Sequence, residues 1–135
     1  HLHPSVMPVK ESDHLLLLEV TTEDVGEFLS EIPDFDDSIM STTEKEYRAI
    51  WKIREDIAEA ANKEGLVHSY DFSFDIRKWS EFVQKARKDI GGYVIGYGHI
   101  GDGNLHLNIC LERGKSFDET ELFNEVVRNK GSISA

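Results

Sequence analysis

The run Gly96-Tyr97-Gly98-His99-Ile100-Gly101-Asp102-Gly103-Asn104-Leu105-His106-Leu107-Asn108 constrains this chain more than any other. Asp-Gly is a preferred centre of a two-residue β-hairpin turn, because both positions there need φ > 0. With Asp102 and Gly103 as the loop, Gly101 pairs with Asn104, Ile100 with Leu105 and His99 with His106. Directly opposed residues have Cβ atoms about 5 Å apart on one face of the ladder. Two imidazoles placed so can converge on one ion. The same register sets Tyr97 and Asn108 beside them and turns Leu105, Leu107 and Ile109 toward a core. Gly96, Gly98, Gly101 and Gly103 are expected to clear side chains from around the pair, so that a ligand can approach. Two histidines are one short of a zinc catalytic site, which uses three protein ligands and a water. Another ligand must then come from elsewhere. Cross-strand histidines are more commonly plain surface neighbours, and spacing alone leaves both readings open. The glycines do not form a dinucleotide loop, since that fingerprint leads into a helix and here a strand follows.

The rest of the chain reads as a framework for this hairpin. Residues 14–20 read as a buried strand and 22–32 as a short helix with Val25, Phe28, Leu29 and Ile32 inward, stopped by Pro33. Thr43 with Glu46 is a capping-box pattern opening a long helix over 43–64, and Gly65 is the expected left-handed C′ residue. Residues 66–74 alternate. Leu66, His68, Tyr70, Phe72 and Phe74 share one face, and Val67, Ser69, Asp71 and Ser73 the other. A helix over 76–90 turns Trp79, Phe82, Val83, Ala86 and Ile90 inward and ends at Gly91-Gly92. A last helix over 118–129 carries Leu122, Phe123, Val126 and Val127. The order β-α-α-β-α-β-β-α predicts an α+β fold, a mostly antiparallel sheet with helices packed on one face.

Charge and cysteine use exclude several classes. The 135 residues carry 26 acids against 15 basic residues, a formal net charge of −11. Such a chain repels nucleic acid and anionic membrane. Its longest apolar run, Leu15-Leu16-Leu17-Leu18, is far below the ~20 residues of a membrane span. Cys110 stands alone, which excludes an internal disulfide framework. The acids concentrate between Glu19 and Glu44. Asp34-Phe35-Asp36-Asp37 lacks the Gly and closing Glu of a calcium loop, so this stretch reads as a solvated helix and loop. His1, His3, His14 and His68 stand at no spacing useful for a shared ion and read as structural or surface residues. The chain starts without Met and without a targeting pattern, and reads as a piece of a longer polypeptide, one partial domain over 1–135.

Gly98-His99-Ile100-Gly101-Asp102-Gly103-Asn104-Leu105-His106 resembles the signature of the C-terminal domain of FAD-linked oxidases of the vanillyl-alcohol-oxidase type. Val94 to Tyr97, Leu107-Asn108, Trp51-Lys52-Ile53-Arg54-Glu55 and Ser69-Tyr70-Asp71-Phe72-Ser73 resemble its D-2-hydroxyglutarate dehydrogenase branch. The likeness runs from about Pro8 to Ala135.

The resemblance implies a ferredoxin-like domain that binds substrate and metal in an FAD-dependent D-2-hydroxy acid dehydrogenase. FAD takes hydride from C2 of the hydroxy acid and passes electrons to an acceptor protein. It implies a divalent metal, commonly zinc in the family, held by His99, His106 and a Glu in a Ser-Ala-Glu-His-Gly stretch. On this resemblance that Glu is expected just past Ser134-Ala135, and the FAD-binding domain is expected outside residues 1–135. The fragment alone is therefore expected to be inactive and to bind no FAD. Arg54 matches a substrate-carboxylate arginine, and its guanidinium suits a bidentate carboxylate; Asn108 is expected to hydrogen-bond a substrate oxygen. The location implied is mitochondrial in a eukaryote, otherwise cytoplasmic. Two positions depart from the branch: Ala58 stands where a Thr is expected and Ser69 where a Lys is expected. Both losses weaken the case for 2-hydroxyglutarate and leave D-lactate as the second substrate. A non-enzymatic metal-binding or interaction module built on the same hairpin is the other alternative.

Overall fold

The computed structural model describes residues 14–32 and 38–134. Pro33, the acidic run 34–37, His1 and His3 lie outside the described residues. The chain forms two compact units, residues 1–54 and 55–135.

The first unit holds α1 (Val25–Ser30) and the start of α2 (Glu44–Glu64). Asp24 caps α1, its Oδ1 accepting from the Glu27 amide at 2.9 Å. The capping box at Thr43 forms as expected. Thr43 Oγ1 accepts from the Glu46 amide at 3.3 Å, and Glu46 Oε2 accepts from the Thr43 amide at 3.0 Å. The same carboxylate oxygen accepts from the Thr42 amide at 2.9 Å, so one side chain satisfies two backbone donors. Tyr47 and Trp51 meet one turn apart with ring centroids separated by 6.3 Å. The Tyr47 hydroxyl donates to Glu19 at 3.3 Å.

Residues 14–20 are not the buried strand expected from their leucines. They carry no strand ladder, and Leu15, Leu16, Leu18 and Val20 are exposed. An apolar run becomes a strand only beside another strand that can take its backbone hydrogen bonds. Among the described residues of this unit there is none.

The second unit is built on β1 (Leu66–Ser73), β2 (Tyr93–His99), β3 (Asn104–Leu111) and β4 (Ser132–Ser134). They pair antiparallel in the order β2-β3-β1-β4. Two helices, α3 (Trp79–Ile90) and α4 (Thr120–Arg128), cover one face. Phe72, Leu105, Leu107 and Ile109 of the sheet pack there against Phe82 and Ala86 of α3 and Leu122 and Val126 of α4. Edge-on rings tie the layers together, with Phe82 at 5.5 Å from Phe72 and 5.1 Å from Phe74. Tyr70, on the same face, donates its hydroxyl to Glu119 at 2.7 Å. Burial first, and this carboxylate second, push its phenol well above the ordinary tyrosine value. His68 sets its ring edge-on to Phe117 at 5.5 Å, the structural role expected of it. The architecture is α+β with helices on one side of an antiparallel sheet.

Three local expectations need correction. Gly65 is not left-handed. It is glycine because a Cβ there would stand 2.4 Å from the Leu111 carbonyl oxygen. Val127 is exposed rather than in the stripe, since the apolar arc of α4 closes at Leu122, Phe123 and Val126. Beyond α4, β4 pairs with β1, a strand too short to show a period. It is reached by a closure in which the Lys130 amide bonds Val127 O and the Gly131 amide bonds Val126 O, both at 2.9 Å. Lys130 takes the left-handed conformation, at φ 56°. Gly131 is reserved for contact, because a Cβ there would lie 2.8 Å from Ser73 O. Gly91 does close α3 in the left-handed conformation, at φ 67°.

Replacing Thr43 with Ala should cost α2 about 1 kcal/mol, read as faster hydrogen exchange at the first-turn amides. The Thr42 amide, then the threonine hydroxyls, hold the Glu46 carboxyl below its ordinary value of 4.5. A carboxyl lowered by folding contributes above its unfolded pKa and loses that contribution as pH falls through the folded value. First-turn protection should therefore fall in that acid window, and Glu46→Gln should remove the dependence.

Candidate functional site

β2 and β3 form the hairpin, but with a four-residue loop, Ile100 to Gly103, in place of two. Only Gly103 of this loop has positive φ, at 70°. Asp102 acts through its side chain, its Oδ1 accepting from the Asn104 amide at 3.0 Å. The Gly103 carbonyl accepts from the Phe74 amide at 3.3 Å, fixing the loop to the end of β1. An Asp-Gly pair serves such an Asx turn as well as the tight turn expected from sequence.

The longer loop moves the register by two residues. His99 lies opposite Asn104, and His106 opposite Tyr97. A shift of two preserves the face, because side chains alternate with period two. His99 and His106 are thus diagonal rather than directly opposed, and their rings meet edge-on with centroids 5.6 Å apart. The Tyr97 ring lies 5.1 Å from His106 on its other side. These side chains stand on the sheet face away from α3 and α4.

β1 completes the face. Its register sets Asp71 opposite His106 and Ser69 opposite Asn108. β4 adds Ser134 opposite Asp71. A row therefore crosses all four strands as Tyr97, His106, Asp71, Ser134. Asp71 Oδ1 bonds His106 Nδ1. Sequence reasoning gave Asp71 no role, although the alternation over 66–74 had already put it with Ser69 on the face opposite the aromatic core residues. What was missing was the pairing of that strand with the histidine strand.

Asn108 lies on the expected face but is only 3% exposed. Its Nδ2 donates to the Tyr97 hydroxyl at 3.3 Å. Asn108 thus lies beneath the surface and supports the Tyr97 hydroxyl. Arg54 is half-buried on α2 and belongs to the first unit. Two of the glycines have a different purpose from the one expected. Gly96 and Gly98 alternate with Tyr97 and His99, so they face the core. A Cβ on Gly96 would stand 2.6 Å from Val83 Cγ2, and one on Gly98 2.1 Å from Asn104 O. They let α3 and the end of β3 come close instead of clearing the histidine face.

Among the described residues, no group of three or more His, Cys, Asp or Glu is arranged to hold a metal ion. A cleft of about 320 Å³ lined by Phe82, Ile90, Phe117 and Leu122, with acids at its rim, opens on the helix side and not at the histidines.

Comparison with known proteins gives this face a family. Residues 11–135 match the C-terminal domain of FAD-linked oxidases. The mitochondrial D-2-hydroxyglutarate dehydrogenase of Danio rerio is 34% identical over 95% of this chain and 27% of its own length. That of Bos taurus is 35% identical over 78% of the chain and 22% of its length. A mitochondrial protein of Schizosaccharomyces pombe, named provisionally as a D-lactate dehydrogenase, is 32% identical over 73% of the chain and 22% of its length. The chain belongs to the FAD-linked oxidase C-terminal domain family. It spans about a quarter of the length of the D-2-hydroxyglutarate dehydrogenases it matches.

Gly98→Ala should test how the hairpin is held. The added methyl meets backbone and must bend the ladder, a cost of about 1–3 kcal/mol. Urea denaturation should show that loss, together with weakened nuclear Overhauser contacts between the His99 and His106 rings. Unchanged stability would show that β2 and β3 do not approach this closely.

Proposed function

We propose that this chain is the substrate- and metal-binding part of an FAD-dependent D-2-hydroxy acid dehydrogenase acting on D-2-hydroxyglutarate. The observation that carries the reading is the open sheet face on which His99 and His106 meet beside Tyr97 and Asn108. It is supported by the names of the relatives, all said of those proteins.

His99 and His106 fit as two of the ligands of a divalent ion, zinc in the family. The third, a carboxylate, would come from outside residues 1–135. When bound, the ion supplies Lewis acidity toward a 2-hydroxyl, and FAD supplies the hydride acceptor. Neutral imidazoles are required for ligation. Tyr97, its hydroxyl held by the buried Asn108 amide, can orient the hydroxy acid's oxygens, and Asn108 would act on substrate through that hydroxyl. Arg54 would hold a distal carboxylate by charge-assisted hydrogen bonds. FAD would be bound by the rest of the parent protein. The glycine-rich turn here leads into β3 and offers no helix N-terminus for a pyrophosphate. The acceptor of the electrons would be a further protein, and the location mitochondrial in a eukaryote, otherwise cytoplasmic. No described helix is long and apolar enough to cross a membrane.

Ser69 favours D-lactate as a second substrate. It lies opposite Asn108 on the site face, and its short neutral side chain offers no cation for a second carboxylate. Steady-state kinetics of the parent enzyme separate the two. Arg54→Ala should lower kcat/KM for D-2-hydroxyglutarate roughly tenfold to a hundredfold, mainly through KM, because it removes binding common to ground and transition states. It should leave D-lactate turnover unchanged, whereas His106→Ala should collapse kcat on both substrates. An equal loss on D-lactate after Arg54→Ala would show that Arg54 reads no distal carboxylate.

A further inference from the structure

We infer that Asp71 is a positioning residue that fixes the tautomer of His106, so that His106 offers Nε2, and not Nδ1, to the open face of the sheet. The inference rests in part on the reading of the histidine pair as metal ligands, but its first test needs no metal.

The observation is the bond between Asp71 Oδ1 and His106 Nδ1 across the β1–β3 ladder. A carboxylate has lone pairs and no proton, so it can only accept. A neutral imidazole facing it through Nδ1 must carry its proton on that nitrogen. The lone pair is then confined to Nε2, the atom available to an ion or to a substrate proton. This is how carboxylates orient metal-binding histidines and raise their basicity.

The placement suits the task. Asp71 stands on a central strand, paired on one side with β3 and on the other with β4. Its backbone is therefore held on both sides, and groups carried on paired strands are placed more accurately than groups on loops. The imidazole is only 24% exposed, against 49% for Asp71. A half-turn of the His106 ring would set Cδ2 in place of Nδ1 against the carboxylate, so the bond to Asp71 holds only in the observed orientation.

The test is long-range proton–nitrogen correlation on the metal-free chain with labelled histidine nitrogens, at a pH of roughly 8, above the ordinary imidazole pKa of about 6.5. His106 should show a protonated Nδ1 and a bare Nε2. In Asp71→Ala the proton should move to Nε2, with backbone shifts in the core of the sheet unchanged. Zinc affinity, by calorimetry, should fall about 10- to 100-fold. A wild-type His106 protonated on Nε2 overturns the inference, and this result stands even if the variant does not fold. An unchanged tautomer in a folded Asp71→Ala overturns it too. The expected tautomers with no zinc binding in the wild type would support positioning by Asp71 and overturn the metal reading of the pair.

Discussion

β3 is the strand on which the molecule turns, because its alternation decides both the core and the chemistry. Leu105, Leu107 and Ile109 are almost wholly buried against α3 and α4, while His106 and Asn108 face the other way. The apolar set pins the phase of the strand, since a slip of one residue would expose three core side chains and bury the histidine. Burying each of the three is worth about 1.5–3 kcal/mol relative to exposure. The site face is thus held in phase by contacts on the opposite side of the sheet.

The glycines extend this constraint. Gly65, Gly96, Gly98 and Gly131 each stand where a Cβ would come within 3 Å of backbone or a core side chain. They allow the start of β1, α3 and the ends of β2 and β4 to close on the neighbouring elements. The density of glycine around the histidines therefore reflects a tightly assembled sheet.

Where contacts are local, the sequence was legible. The box at Thr43 and Glu46, the end of α3 at Gly91 and the inward stripe of α3 depend on neighbours within a turn or two. The shared face of His99 and His106 also survived, because parity tolerates an error of two. What failed required knowledge of partners distant in sequence. The loop was two residues longer because Asp102 bonds through its side chain and Gly103 bonds the end of β1. The leucines of 14–20 suggested a strand, but a strand is defined by its neighbour. Asp71 lies 35 positions from His106, and no local pattern joins them.

The central claim is that His99 and His106 act together on one ion at the open face of the sheet. Zinc titration of the chain, followed through the side-chain resonances of both imidazoles, tests it most directly. The account predicts that the two respond in step and saturate together at one zinc per chain, with Arg54→Ala leaving the titration unchanged. A response confined to one imidazole, or separate saturation at two ions, would contradict it.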